Sequence, residues 1–231
     1  MEKLVYVLWR RPELSEARLR EAVLGPVARR CAGAGARRIA ASLVDEHVAP
    51  ALKARITRLA PPPAGIFSFW LEGAEERGPC EEALGEVAER LAGYLVVESV
   101  PLLNTTHRAP PGERTPGINM VALIERPARL SREAWIQRWH GHHERVALET
   151  QCTFAYVRNL VLRPLSEGAP SWEGIVEEGF PAEAVTDPML WYRAEGDPEK
   201  LAANVRRMVE SCRAFLDLER VESHPMSEYR L

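Results

Sequence analysis

The stretch LVYVLWR at residues 4–10 decides the fold prediction, because it recurs as MVALIER at residues 120–126. Further pairs keep this register: Leu14 with Leu130, Ser15 with Ser131, Gly25 with Gly141, and Arg29 with Arg145. A second echo links VESVPL at residues 97–102 to VESHPM at residues 221–226. These two echoes lie at the starts and the ends of similar segments, and together they indicate a duplicated unit.

Both halves of the chain show the same order of predicted secondary structure, βαββαβ. In the first half, strands are predicted at KLVYVLW, RRIAASLV, GIFSFWL and YLVVESV, with helices from Ser15 to about Ala32 and over CEEALGEVAERLA. In the second half, strands are predicted at INMVALIE, FAYVRNLVL, WEGIVEEGF and RVESH, with helices over about 131–150 and 197–216. Ser15 is placed to cap the first helix through its hydroxyl group.

The βαββαβ order is typical of the ferredoxin-like arrangement, in which an antiparallel sheet carries both helices on one face. The other face of such a sheet needs a cover, which a second copy supplies. The sequence therefore predicts an α+β fold with two tandem ferredoxin-like units, residues 1–105 and 118–231, whose antiparallel sheets pack face to face as an intramolecular pseudo-dimer. Residues 104–117 read as a linker. An insertion near residues 47–64 of the first unit could overhang a pocket.

Composition and charge exclude several classes of protein. With 46% hydrophobic and 27% charged residues the chain is expected to be globular, and its net charge of -3 gives no long-range attraction to nucleic acid. No stretch approaches the roughly 18 apolar residues of a membrane helix. The four cysteines are scattered without a CxxC pair, so neither a zinc site nor a disulfide framework is predicted, and a cytoplasmic location is expected.

The second half carries a histidine cluster, RWHGHHERV at residues 138–146, on its first predicted helix. At about 100° per residue, Trp135, Trp139 and His143 fall on one face of that helix, whereas His140 points mostly away from it. Three interpretations of the cluster stay open. His143 could be a packed and inert core residue, a metal ligand, or a catalytic acid or base.

The repeat helps to weigh these interpretations. HGHHE matches no zinc motif and no partner ligand is identifiable by spacing, so no metal site is predicted. Pro26 and Val27 stand in the first half where His142 and His143 stand in the second, so one copy of this helix packs without histidine. We expect His143 to exchange protons near neutral pH, assisted by a nearby carboxylate that would raise the pKa of its imidazole.

The predicted strands of the second half supply further candidates through the alternation of their side chains. Tyr156 lies on one face of its strand and Asn159 on the other. In WEGIVEEGF, Glu177 and Glu178 point to opposite faces in the same way. Trp172 belongs to a group of aromatic residues in this half that would suit a pocket for a planar or hydrophobic molecule.

The second half resembles the EthD family of the dimeric α/β-barrel superfamily over about residues 118–231. The resemblance rests on Trp139 and His143 in WHGHHERV, on YVRN at residues 156–159, and on WEGIVEEGF, where Glu173-Gly174 replaces the family's usual Asp-Gly. It implies ferredoxin-like units paired into a barrel, a pocket between helices and sheet, and chemistry generally without a cofactor. Members include proteins linked to the degradation of ether compounds and enzymes that decarboxylate or dehydrate aromatic polyketides.

Three functional hypotheses follow. The first is a cofactor-independent lyase or isomerase, decarboxylase-like or dehydratase-like, that acts on a small hydrophobic, aromatic or polyketide-like molecule. Its predicted site has His143 and Glu177 as catalytic residues and Trp139, Tyr156, Asn159 and Trp172 as substrate-binding residues. The second is a non-catalytic accessory protein that binds a small molecule or haem, with His143 as the axial ligand. The third is a protein-interaction module with an exposed apolar surface. The sequence predicts no membrane or nucleic-acid partner and allows a further homodimer.

Overall fold

Eight antiparallel strands form the wall of the molecule. The first half of the chain supplies β1 (Glu2–Arg10), β2 (Arg37–Leu43), β3 (Gly65–Leu71) and β4 (Ala88–Leu102), and the second half supplies β5 (Ile118–Ile124), β6 (Ala155–Pro164), β7 (Gly174–Phe180) and β8 (Glu222–Arg230). The computed structural model, which describes residues 1–231, closes them into one barrel in the order β1-β3-β2-β8-β5-β7-β6-β4. The predicted α+β class and the barrel are confirmed, and pairing of β2 with β8 and of β4 with β6 joins the two four-stranded sets.

Helices pack against the outside of the barrel. In the first half, α1 (Glu16–Ala22) and α2 (Ala28–Gly33) flank a π-helical segment at Val23–Val27, and α3 (Gly78–Gly85) follows later. In the second half, α4 (Arg132–Ile136) and α5 (Glu144–Thr150) flank a π-helical segment at Gln137–His143, and α6 (Pro188–Trp191) and α7 (Pro198–Phe215) follow. Ser15 and Ser131 cap α1 and α4 through hydroxyl groups that accept backbone N–H donors. The two capped segments match in register and in shape, and π-helical turns are frequent at functional sites.

Side-chain alternation along the strands divides the core into a barrel interior and two helix-facing layers. On β1, Leu4 and Tyr6 pack with the first-half helices, whereas Val5 and Val7 fill the barrel interior. The interior cluster draws apolar residues from both halves of the chain. Neither half therefore completes this part of the core alone.

One predicted helix is shorter than expected, and the strand after it is longer. α3 ends at Gly85 and β4 begins at Ala88, whereas the pattern CEEALGEVAERLA predicts a helix across that segment. β4 begins early because β1 offers a pairing partner: Trp9 lies opposite Arg90, whose guanidinium stacks on the Trp9 ring at 4.2 Å. Long-range pairing therefore overrides the local helical pattern.

The two sequence echoes differ in their structural meaning. The register that matches LVYVLWR with MVALIER also matches Lys3 of β1 with Asn119 of β5. Opposite these two residues in the ladders lie Val96 of β4 and Met226 of β8. Val96 of the first half is therefore the structural counterpart of Met226 in the second half. The echo between VESVPL and VESHPM, which would match Leu102 with Met226, is out of register in the barrel.

The insertion of the first half packs at one end of the barrel. A 3₁₀ helix at Glu46–Ala54 places Val48 and Ala51 in the barrel interior. Because β2 ends at Leu43 just before this helix, the insertion lies at the end that we call the closed end. The opposite end, where β2 begins at Arg37, is the mouth. The insertion therefore does not overhang the mouth.

Candidate functional site

The structure distributes the predicted site residues over three separate places. Trp139, His143 and Tyr156 lie in the layer between the second-half helices and the sheet, Asn159 and Glu177 lie inside the barrel near the mouth, and Trp172 lies at the closed end. Strand β7 places Ile175 in the barrel interior and Val176 in the helix-facing layer, which sends Glu177 inward. His143 and Glu177, predicted as a catalytic pair, are therefore on opposite sides of the sheet.

His143, the last residue of the π-helical segment Gln137–His143, is buried against α7. Its Nδ1 lies 3.0 Å from the Ser211 hydroxyl oxygen, and its ring centroid lies 4.6 Å from that of Phe215. Burial, with a smaller contribution from His142, lowers the pKa of His143 to about 4. This is opposite to the predicted direction, because the expected carboxylate is absent from its surroundings. His143 is therefore neutral near pH 7.

Two tryptophans extend the same helix face over the sheet. The rings of Trp135 and Trp139 lie 4.9 Å apart, and Trp139 also packs on Gly174 at the start of β7. A Cβ at Gly174 would approach the Trp139 ring to 2.6 Å, so the large indole requires glycine at this position. Both indole N–H groups are buried without a well-aligned hydrogen bond, and that of Trp139 interacts with the Tyr156 hydroxyl, whose pKa it lowers.

Glu178 is the carboxylic acid on the helix-facing side of β7. Its Oε1 is shielded from solvent and has no hydrogen-bond partner. Burial raises the pKa of Glu178 to about 7, so both of its protonation states are populated near neutral pH. Tyr156 lies directly opposite on β6, and burial, followed by the charge of Glu178, raises the pKa of its phenol. Alternation placed Glu178 on the face opposite Glu177, but only the position of the helices shows that this face is the helix-facing one.

The helix-facing layer of the second half contains several unpaired polar atoms. Glu178 Oε1, Trp135 Nε1 and Trp139 Nε1 are buried there without a partner, and His140 Nε2, on the same π-helical segment as Trp139, is also unpaired. Ala122, Leu160 and Cys212 line this layer and are only partly buried, as is Glu178 itself. Like His143, Glu178 lines none of the principal pockets, so a ligand that pairs with these atoms requires the helices to move apart from the sheet.

Asn159 and Glu177 belong to a different polar cluster inside the barrel. Lys3 Nζ donates to Glu98 Oε2 at 2.5 Å and to Asn159 Oδ1 at 2.8 Å. Asn159 Nδ2 donates to Glu177 Oε1 at 3.1 Å, and Asn119 Nδ2 lies 3.5 Å from Glu177 Oε2. The cluster joins β1 and β4 of the first half to β5, β6 and β7 of the second. Sequence reasoning missed Lys3 and Glu98, whose partners are far away in the chain.

Trp172 packs at the closed end of the barrel. Its ring centroid lies 6.4 Å from that of Trp9 and 6.0 Å from that of Tyr94. Tyr94 completes this cluster by donating its hydroxyl proton to the Pro170 carbonyl at 2.8 Å. These contacts fill the closed end, away from both polar clusters.

Three features of the structure concern metal binding, haem binding and membrane insertion. No three histidine, cysteine, aspartate or glutamate side chains converge in a way that could hold a metal ion. His143 lines none of the principal pockets and is enclosed by Ser211 and Phe215, so its surroundings do not fit a haem that needs an open axial position. None of the helices combines the length and the apolar character that crossing a membrane requires.

Comparison with known proteins identifies the fold. No family model and no curated protein matches the sequence. Among solved structures, an anthrone oxidase-like protein matches 99% of this chain and 92% of its own length, with a TM-score of 0.55 and 12% sequence identity. A proposed monooxygenase from Fusobacterium nucleatum matches 100% of this chain and 92% of its own, with a TM-score of 0.52 and 8% identity. At such identities the likeness shows the fold alone, which is the dimeric α/β-barrel, closed here within one chain.

Proposed function

We propose that the chain is a cofactor-independent lyase or isomerase, decarboxylase-like or dehydratase-like, that acts on a small aromatic or keto-bearing molecule between the second-half helices and the sheet. One observation carries the proposal: Glu178, with a pKa of about 7, lies in a layer that also holds indole and imidazole nitrogens without protein partners. Buried polar groups are normally paired in folded proteins. Unpaired ones near a titratable carboxyl favour a ligand that pairs with them.

Glu178 is the proposed proton-transfer group. Its carboxylate takes a proton from the carbon beside a carbonyl, and the C–H electron pair moves to form an enolate. Returning the proton to another atom of the enolate gives an isomerisation. In a decarboxylation the bond to the departing carboxylate breaks instead, carbon dioxide leaves, and protonated Glu178 donates its proton to the enolate carbon. A pKa of about 7 suits both directions, because acid and base forms coexist near neutral pH.

The indole groups of Trp135 and Trp139 are the proposed donors to the enolate oxygen. The Trp135 N–H is buried without a partner, whereas the Trp139 N–H interacts with the Tyr156 hydroxyl and exchanges that contact for the enolate oxygen. The raised pKa of Tyr156 keeps its phenol protonated, which makes it a further donor opposite Glu178. Removing one preorganised donor of this kind typically costs about 10²–10³ in rate.

His143 has a positioning role in this proposal. With a pKa of about 4 it is neutral at pH 7, and its Nδ1 is occupied by Ser211. Its ring packs on Phe215 and fixes the end of the π-helical segment that also carries Trp139. The proton-transfer role predicted for His143 and Glu177 thus passes to Glu178, with His143 holding the helix that supplies the indole donor.

The family and the origin of the barrel are part of the same proposal. Trp139, His143, YVRN and WEGIVEEGF support membership of the second half in the EthD family. The strand order within each half and the paired π-helical segments support two tandem ferredoxin-like units, 1–105 and 118–231, derived by duplication. A small hydrophobic partner and a further homodimer stay predictions.

The test uses proton exchange, which needs no knowledge of the natural substrate. The probe is 2-tetralone, an aromatic ketone whose protons beside the carbonyl exchange through an enolate. In D₂O near pH 7, the wild-type protein is expected to accelerate the loss of these proton signals, measured by NMR. Glu178→Gln should lose about 10²–10⁴ of the acceleration, the usual contribution of a general base.

Glu177→Gln is the matched control, because it makes the same change on the other side of the same strand. Its exchange rate should equal that of the wild type, and circular dichroism should show that both variants fold. The proposal would be contradicted if the wild type and Glu178→Gln exchanged the protons of 2-tetralone at equal rates. It would also be contradicted if the wild type gave no acceleration.

A further inference from the structure

The mouth of the barrel holds a pocket on the side of the sheet away from Glu178. Its volume is about 300 Å³, which suits a small organic molecule. Lys3, Glu98 and Glu177 form its polar base, and Val100, Leu103 and Val157 contribute an apolar wall. Residues of both halves line it, so it exists only in the closed barrel.

The cations of this pocket lie closer to other carboxylates than to Glu177. Lys3 Nζ contacts Glu98 at 2.5 Å, and Arg38 lies 3.4 Å from the same carboxylate while stacking on Trp70. At the rim, Arg230 pairs with Glu228 at 2.9 Å. These pairs leave no arginine in contact with Glu177.

Glu177 is the least compensated carboxylate of the pocket. It accepts an amide hydrogen bond from Asn159 at 3.1 Å, and the Asn119 amide lies 3.5 Å away. Its nearest cation, Lys3, is 3.9 Å away and is bound more closely to Glu98. Only 12% of the Glu177 side chain is exposed. A carboxylate so enclosed gains more from a cationic partner than one in open solvent.

The apolar wall indicates the rest of the ligand. Val100 and Leu103, on and just after β4, are 42% and 56% exposed, although both are large hydrophobic residues. Both line the pocket that reaches Glu177. Covering them with an apolar group removes that surface from water, a gain of roughly 25 cal/mol per Å².

We propose that the mouth binds a small organic amine, with its ammonium group on Glu177 and its apolar substituent against Val100 and Leu103. The ammonium gives Glu177 a closer cationic partner than Lys3, which lies 3.9 Å away and closer to Glu98. The site is independent of the one proposed around Glu178, because the sheet separates them. Glu177 and Asn159, selected from the sequence as site residues, belong to this second site.

The experiment compares hexylamine with hexanol and hexanoate, which share its chain length and differ in charge. Binding is followed by isothermal titration calorimetry and by methyl NMR shifts of the full-length protein. Hexylamine is expected to bind saturably below about 10 mM and at least about tenfold more tightly than the other two. The shifted methyl groups should be those of Val100, Leu103 and Val157.

Glu177→Gln should weaken hexylamine binding by about tenfold or more. Glu178→Gln, the same change on the other side of β7, should leave that binding unchanged. Equal affinity for hexanoate or hexanol, absence of saturation, or shifts outside the pocket would overturn the proposal. If Glu177→Gln fails to fold, ligand preference and the location of the shifts in the wild type still decide.

Discussion

The helix-facing layers of the two halves carry different chemistry at matching positions. Counted from the glycine that begins each strand, Phe69 of β3 holds the place of Glu178 of β7. Along the helical segments, Val23 corresponds to Trp139 and Val27 to His143. The first half fills these positions with apolar side chains, whereas the second half uses an acid, an indole and an imidazole.

The two layers also differ in how they satisfy their polar groups. In the first half, Tyr6 donates its hydroxyl proton to Glu81 at 2.9 Å and stacks on Phe69 at 5.7 Å. In the second half, Glu178 and both indoles keep buried atoms without partners. The first half therefore pairs the buried hydroxyl of its layer within the protein, whereas the second half leaves polar atoms of its layer unpaired. The unpaired polar atoms of the second half are the feature that the proposed site around Glu178 uses.

The largest effect is expected when Trp139, in the helix-facing layer of the second half, is replaced by valine, the residue at the matching position of the first half. Trp139→Val should lower the free energy of unfolding by about 3–5 kcal/mol, because it leaves a cavity above Gly174. Chemical denaturation near pH 7 measures the change. Gly174→Ala alone should cost about 1–3 kcal/mol by crowding the indole.

The double variant sharpens this prediction. With Trp139→Val in place, the added methyl of Gly174→Ala no longer meets the indole and keeps only its close contact with Ile124 at 2.9 Å, so the second change should cost less. The two effects should therefore be strongly non-additive. Additive losses would show that Trp139 does not rest on Gly174.

A medium effect on stability is expected when His143 is replaced by valine, its counterpart in the first half. Below about pH 6.5 the unfolded chain protonates this imidazole, whereas the folded protein, with a pKa of about 4, keeps it neutral. Stability is therefore lost as the pH falls from about 6.5 to 4. In His143→Val, the drop in unfolding free energy between pH 7 and pH 4 should be smaller by about 1–3 kcal/mol. An identical drop in both proteins would place His143 in contact with solvent.

The smallest effect is expected one position earlier. His142 is exposed, and its counterpart in the first half is Pro26. His142→Ala should change the free energy of unfolding near pH 7 by less than about 0.5 kcal/mol, as surface substitutions usually do. It should also leave proton exchange of 2-tetralone unchanged. A large loss of either property would show that the wrong histidine was singled out.

The sequence predicted much of the fold because its signals are local and periodic. Strand alternation separated Glu177 from Glu178, and the helical stripe selected Trp135, Trp139 and His143. It could not tell which face of β7 meets the helices, so it chose Glu177 as the acid. That choice depends on how distant strands and helices pack.

The polar cluster of Lys3, Glu98 and Glu177 at the mouth could not be predicted from the sequence for a similar reason. Lys3 and Glu98 resemble ordinary solvated charges at strand ends. They become a buried pair only when β1 pairs with β4 and the barrel closes beside Asn159. The early start of β4 was hidden too, because the pairing of Trp9 with Arg90 outweighs a local helical pattern.

Titration of the Glu178 carboxyl carbon by ¹³C NMR tests the central claim most directly, with Glu178→Gln assigning the signal. Burial among unpaired polar groups predicts a midpoint of about 7 for Glu178. A midpoint near the ordinary 4.5 would contradict the account, because Glu178 would then be a solvated carboxylate unable to act as both acid and base at neutral pH.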